Sequence, residues 1–211
     1  MDYQKYKKTR DNAWLLLLRH KVQTLPVDIL DLCKREGITV RTFGFCRKKG
    51  IFNVLGLEPY TLDNDGFALA IGGRGFIFYD ESKTPQRQRF TIAHELGHII
   101  NGDVGPIPTK RNREPSENDD SIETYANIVA ARIMSPSCVL WALKVSSPQE
   151  IEQLCFVSPQ AAYWRYKRLV LLYEREREWI SKYGKSCFLQ SPLEQQVFHN
   201  FEAYINQKRN G

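Results

Sequence analysis

Residues 89–102 read RFTIAHELGHIING, with two histidines four residues apart and a glutamate directly after the first. On an α-helix, residues i and i+4 share a face one turn apart. The imidazoles of His94 and His98 then lie side by side, able to share one metal ion. Glu95 is rotated about 100° from His94, which puts it at the rim of such a site. A base must sit there to take a proton from a metal-bound water. Zinc suits the set, because it accepts nitrogen and oxygen ligands and keeps a fourth position open for water. Gly97 has no side chain, so another helix or a substrate can approach closely at that point. An amphipathic helix with two satisfied histidines would share this short pattern, so the surrounding chain has to decide.

The context favours a site. Pro85 can open a helix here and Gly102 can close it. Two short strands are expected just before it, Phe67 to Ile71 and Phe76 to Tyr79, joined at Gly72-Gly73-Arg74-Gly75. Upstream, TLPVDILDLCKREGITVRTFGF reads as a helix opened by Pro26, lined by Ile29, Leu30, Leu32 and Cys33, stopped at Gly37 and followed by a strand. Residues 103–120 hold three prolines and many charges without apolar periodicity, and are expected to form a loop able to gate access. SIETYANIVAARIMSP then reads as a helix, with Ile122, Ala126, Val129 and Ile133 on one face and Ser135-Pro136 at its end.

Zinc with one open position needs three protein ligands. His20 and His199 sit near the chain ends. Glu123 is better placed, on a face of the second helix distinct from its apolar stripe, with Ala126, Ala130 and Ala131 allowing close packing against the histidine helix. Three residues after Asp120, Glu123 also fits a helix-capping role.

The rest of the 211-residue chain bounds the reading. Its length suits one domain with a small appendage. A net charge of +6 tolerates an acidic partner but is too mild to establish nucleic-acid binding. Five scattered cysteines, odd in number and with no CxxC pair, read as reduced thiols in a cytoplasm. The apolar run Ala13 to Leu18 is too short for a membrane span and lacks the flanks of a secretory signal. From Ser147, a cap with Pro148 and Glu150 opens a short helix, and Ser158-Pro159 opens a longer one, the outline of a helix-turn-helix. The alternating charges around Arg175 to Glu178 suit a solvated face. One more amphipathic helix is expected from Ser191.

At these residues the chain resembles the ImmA/IrrE family of metallo-endopeptidases. RQRFTIAHELGHIINGD resembles the family's core helix. IETYANIVAARIMSP resembles its second helix, and TLPVDILDLCKREGITV its N-terminal helix and strand. The resemblance covers roughly residues 10 to 170, with NIVAARIMSP departing from a more usual phenylalanine-alanine run. It implies that His94, His98 and Glu123 bind a metal, zinc or else manganese or iron, with Glu95 as general base and acid. It implies that Asn127 supports the ligands, with Asp103 a further candidate to fix a histidine tautomer. It also implies a cytoplasmic endopeptidase acting on a protein partner, a DNA-binding repressor of a mobile element or stress regulon.

The expected fold is α+β: a zincin-like core at residues 1–145, with a small antiparallel or mixed sheet, the HExxH helix and the second ligand helix, then a helical region at 146–211. An extended substrate can add to the Phe76–Tyr79 edge, and Tyr79 or Tyr125 can assist an oxyanion. Two other classes compete. A DNA-binding regulator would use the second helix of the pair, with Arg165 and Arg168 among its contacts. A protease-like module without activity would work by binding a partner.

Overall fold

The computed structural model describes residues 2–108 and 122–210. The fold is α+β, and the described residues form eleven α-helices and one three-stranded mixed sheet. The chain groups into two compact units, Met1–Asn12 with Asp28–Ala130, and Ala13–Val27 with Ala131–Gly211. Helix α1 (Tyr3–Arg19) contributes its first turns to the first unit. Residues 109–121, most of the expected gating loop, lie outside the described residues.

The sheet of the first unit is ordered β1-β3-β2, from β1 (Thr39–Thr42), β2 (Gly66–Ile71) and β3 (Arg74–Tyr79). β1 runs parallel to β3, and β2 pairs with β3 as an antiparallel hairpin. Gly72 at φ 56° and Gly73 at φ 75° close that hairpin. Two consecutive left-handed residues are what a tight primed turn requires. The turn therefore consumes only these two glycines, and the ladder extends from Gly66↔Tyr79 to Ile71↔Arg74, longer than expected. Its central position also corrects one expectation. Phe76–Tyr79 has β1 on one side and β2 on the other, so that segment offers no edge to a substrate strand.

The two faces of the sheet differ in bulk. Phe67, Leu69, Phe76 and Phe78 share one face and pack with Phe43, Phe52 and Leu57 in an aromatic core. Phe67 and Phe78 lie 5.2 Å apart between ring centroids, and Phe52 and Phe78 5.5 Å. Phe43 and Phe52 come from short helices α3 (Phe43–Lys48) and α4 (Ile51–Leu55). These were not expected, because ITVRTFGF reads as continuous strand. The Thr42 side chain ends that strand by accepting from Phe45 N at 3.1 Å, a cap that starts α3. The opposite face carries Gly66, Ala68 and Ala70 from β2 and Gly75, Ile77 and Tyr79 from β3, and α5 (Pro85–Asn101) packs on it. A Cβ on Gly66 would lie 2.4 Å from Thr91 Cγ2 and 2.8 Å from the Phe78 carbonyl oxygen. Helix α2 (Ile29–Arg35) packs against β1 and α5. Asp28 caps it, so Pro26 lies outside it, and Leu30 is exposed although Ile29, Leu32 and Cys33 are buried.

The second unit is helical: α7 (Ser137–Ala142), α8 (Pro148–Cys155), α9 (Pro159–Tyr183), α10 (Pro192–Asn200) and α11 (Glu202–Asn210). The caps read from the sequence form here. Ser147 Oγ accepts from Glu150 N at 3.3 Å and Ser158 Oγ from Ala161 N at 3.3 Å. The Glu150 carboxylate reaches back to Ser146 N, one residue earlier than a simple capping box has it. The expected single tail helix is divided at buried Phe201 into α10 and α11. No helix among the described residues is long and apolar enough to cross a membrane.

Two stability predictions follow from the first unit. Gly66→Ala forces α5 away from β2 and lowers stability by about 1–3 kcal/mol in urea unfolding. Asp65 accepts from Arg87 Nε at 2.6 Å and lies 3.4 Å from Lys83 Nζ. Burial raises its carboxyl, but the hydrogen bond and charge of Arg87, helped by Lys83, outweigh burial and hold it below the usual range. A depressed carboxyl stabilises the fold above its unfolded value and loses that contribution as pH falls through its folded value. Asp65→Asn is therefore less stable than wild type at neutral pH, by under about 1 kcal/mol because Arg87 is half exposed. The two unfolding curves converge as the pH is lowered below about 4. A difference that persists in acid would assign the effect to packing.

Candidate metal centre

Two helices build the site. Helix α5 begins at Thr84, whose side chain accepts from Arg87 N, with Pro85 in its first turn, and ends at Gly102 with φ 79°. Past that left-handed cap, Asp103 N donates to the His98 carbonyl at 2.9 Å, which fixes where Asp103 leaves the helix. Helix α6 (Ile122–Met134) crosses α5 at Gly97. A Cβ there would lie 3.0 Å from Ala126 O, 3.1 Å from Ala126 Cα and 3.2 Å from Val129 Cβ. A side chain here would be tighter than ordinary van der Waals contact, so glycine lets the two backbones come this close without either giving way. One turn before this contact on each helix stand His94 and Glu123.

The consequence is a convergence of donor atoms. His94 Nε2 lies 3.0 Å from Glu123 Oε2 and 3.0 Å from His98 Nε2. His98 Nε2 lies 3.4 Å from Glu123 Oε1. His98 is fully buried, His94 and Glu123 largely so. On its other nitrogen, His94 Nδ1 pairs with Asn127 Oδ1 at 2.9 Å. An amide oxygen only accepts, so the proton belongs on Nδ1 and the Nε2 lone pair faces Glu123 and His98. Buried His98 Nδ1 lies 3.9 Å from Asp103 Oδ2. Burial raises the Glu123 carboxyl, but wherever His94 and His98 carry a proton turned toward it, their hydrogen bonds and charge outweigh burial and hold it well below the usual range.

This donor set fits a transition metal. Two imidazole nitrogens and a carboxylate gathered this closely repel through their lone pairs unless a proton or a metal cation lies among them. A tetrahedral ion with bonds of about 2.0–2.1 Å holds its ligand atoms about 3.3 Å apart. The observed separations of 3.0, 3.0 and 3.4 Å match that spacing.

The structure thus brings together His94, His98, Glu123 and Asn127, with Asp103 beside His98. Glu95 is buried on the same helix, 8 % exposed. Tyr125, two residues past Glu123 on α6, is buried with the Lys5 ammonium 4.4 Å over its ring. Tyr79 ends β3, its hydroxyl pushed up by burial and by Glu81. Nothing in the sequence signalled the part played by α1, whose Lys5 covers Tyr125 and whose Asn12 Nδ2 donates to Asn101 Oδ1 at the end of α5. The two arginines offered for nucleic-acid contact differ. Arg165 donates to the Ser135 carbonyl and to Ser137 Oγ, whereas Arg168 is exposed.

Asn127→Ala leaves His94 free to rotate and to change tautomer. Metal affinity falls about 10- to 100-fold, read by competition with a chromophoric chelator, and Asn127→Asp recovers most of it. Unchanged affinity in the alanine variant would show that this bond does not orient the ligand.

Comparison with known proteins agrees with the geometry. The Peptidase M78 family, described as the IrrE N-terminal-like domain, matches residues 33–174. That span contains both helices of the candidate site. The radiation response metalloprotease IrrE of Deinococcus radiodurans is 38 % identical over 66 residues, which is 30 % of this chain and 20 % of that protein. The chain thus aligns with only a fifth of that relative's length. With the family matched over most of the chain, and with two histidines and a glutamate converging inside the match, this protein belongs to the IrrE N-terminal-like (ImmA/IrrE) metallopeptidase family.

Proposed function

We propose that the chain is an endopeptidase that works with one divalent metal ion, zinc in the first place, held by His94, His98 and Glu123. One observation carries this reading: donor atoms from all three residues lie within 4.8 Å of one another, on two helices fixed by the Gly97–Ala126 contact. The name of the Deinococcus relative, a metalloprotease, supports the same activity here. Manganese and iron suit the same two-nitrogen, one-oxygen set, so supply decides between them and zinc.

When bound, the ion supplies Lewis-acid chemistry, acidifying a water and polarising a carbonyl. The chain's own residues do the rest. Glu95, one residue past His94, is the base that takes a proton from the attacking water as its oxygen bonds to the peptide carbon. When the C–N bond breaks, the same carboxyl returns that proton to the departing amine nitrogen. The burial of Glu95 keeps bulk water from competing for the proton. Asn127 holds the His94 proton on Nδ1 throughout, which leaves Nε2 as a ligand atom. The substrate we infer is a protein, a DNA-binding repressor, the class that the family resemblance implies.

Metal content and cleavage together test this. Wild type is expected to purify with about one equivalent of metal, with the metal retained in Glu95→Gln and lost in Glu123→Ala. Cleavage of an unfolded protein substrate is expected to fall about 10²- to 10⁴-fold in Glu95→Gln. A wild-type chain that stays metal-free after reconstitution with zinc, manganese and iron would overturn the proposal. Full cleavage by Glu95→Gln would overturn the role of Glu95 alone.

A further inference from the structure

Helix α9 turns an unexpected face to solvent. Gln160, Tyr163, Trp164, Lys167, Arg168 and Leu171 recur at spacings of three and four and are all exposed. Trp164 is 60 % exposed, Leu171 56 % and Tyr163 46 %. Ala162 and Leu169 are buried on the same helix, and Arg165 is spent on Ser135 and Ser137. A surface helix normally buries its largest apolar groups and shows its polar ones. Here Trp164 and Tyr163 are outside, and tryptophan, tyrosine and arginine are the residue types enriched at binding surfaces.

The stripe is also ordered and charged. The Tyr163 and Trp164 rings meet edge to face at 5.4 Å, and the Lys167 ammonium lies 5.1 Å from one centroid and 5.2 Å from the other. No aspartate or glutamate occurs between Pro159 and Tyr173, so Lys167 and Arg168 have no acidic neighbour within that stretch of the helix. Just before α9, Phe156 holds φ 51° with its ring 40 % exposed. Glycine would occupy that left-handed position without strain.

We propose that this stripe docks an acidic amphipathic helix of a partner protein. Its positions run straight along one helix, the shape that fits a second helix face. Trp164, Tyr163 and Leu171 would take the partner's apolar side chains, and Lys167 and Arg168 its carboxylates. Nucleic acid suits the stripe less well. The Lys167 ammonium lies over both rings where a base would stack, and Arg165 is directed away from any phosphate.

The test is selection of a displayed library of helical peptides on the full chain, with winners measured by fluorescence anisotropy. Enriched peptides are expected to place Asp or Glu beside Leu or Phe at helical spacing. Their binding should weaken at least about tenfold in Trp164→Ala and in Lys167→Glu, recover in Trp164→Phe, and weaken modestly with salt. Both substitutions are at exposed positions, so metal content and the thermal melt should match wild type. Failure to enrich such peptides, or enriched peptides that bind the variants as well as wild type, would overturn the proposal. So would Trp164-dependent binding of a DNA duplex with a steep salt slope, of anionic vesicles, or of a second copy of the chain in sedimentation.

Discussion

The contact of Gly97 with Ala126 sets the geometry of the candidate metal centre. Histidines at i and i+4 come together on any helix, but the third donor has to arrive from elsewhere. Glu123 arrives because α6 approaches α5 to backbone distance, and the missing side chain at Gly97 lets it come that near without strain. The same crossing brings Asn127 onto His94. The missing Cβ at Gly97 thus helps bring the three donor atoms together and Asn127 onto His94. A large side chain at 97 would push the two helices apart and spread the donors.

The sheet supports this arrangement through a division of volume. Phenylalanines fill one face, and on the other β2 presents only glycine and alanine, so α5 lies near the backbone of β2 while the aromatic core sits on the far side. The small residues concede hydrophobic area on the helix face. The aromatic cluster of Phe43, Phe52, Phe67 and Phe78 restores it on the opposite one. The position of α5, and with it the two histidines, is a product of both choices.

Much of this was legible in the sequence where the signal is local. His94, Glu95 and His98 needed only the helical period, and Gly102, Ser147 and Ser158 announced their helix ends by residue type. Glu123 was legible as a candidate because alanines flank it, but its approach to the histidines depends on the tertiary crossing at Gly97. What escaped depended on context. Thr42 reads as one more β-branched strand residue, yet its hydroxyl stops the strand and starts α3. Phe76–Tyr79 looks like an edge until β1, far away in sequence, pairs beside it. Arg165 has the chemistry of a phosphate ligand, and only the fold reveals that Ser135 and Ser137 have claimed it.

The order of the strands has a kinetic consequence. The β2–β3 hairpin closes over two glycines, a small loop that forms within microseconds. β1 can join only by parallel pairing with β3, across everything between Thr42 and Arg74, a larger loop and a slower step. The hairpin is therefore the natural nucleus onto which α5 condenses, and β1 with its aromatic helices arrives later. A chain emerging from the ribosome has β1 waiting for its partner strand through all the intervening synthesis. During that interval Val40 and Ile38 are exposed, and it is then, not in the finished fold, that this protein is most open to mispairing.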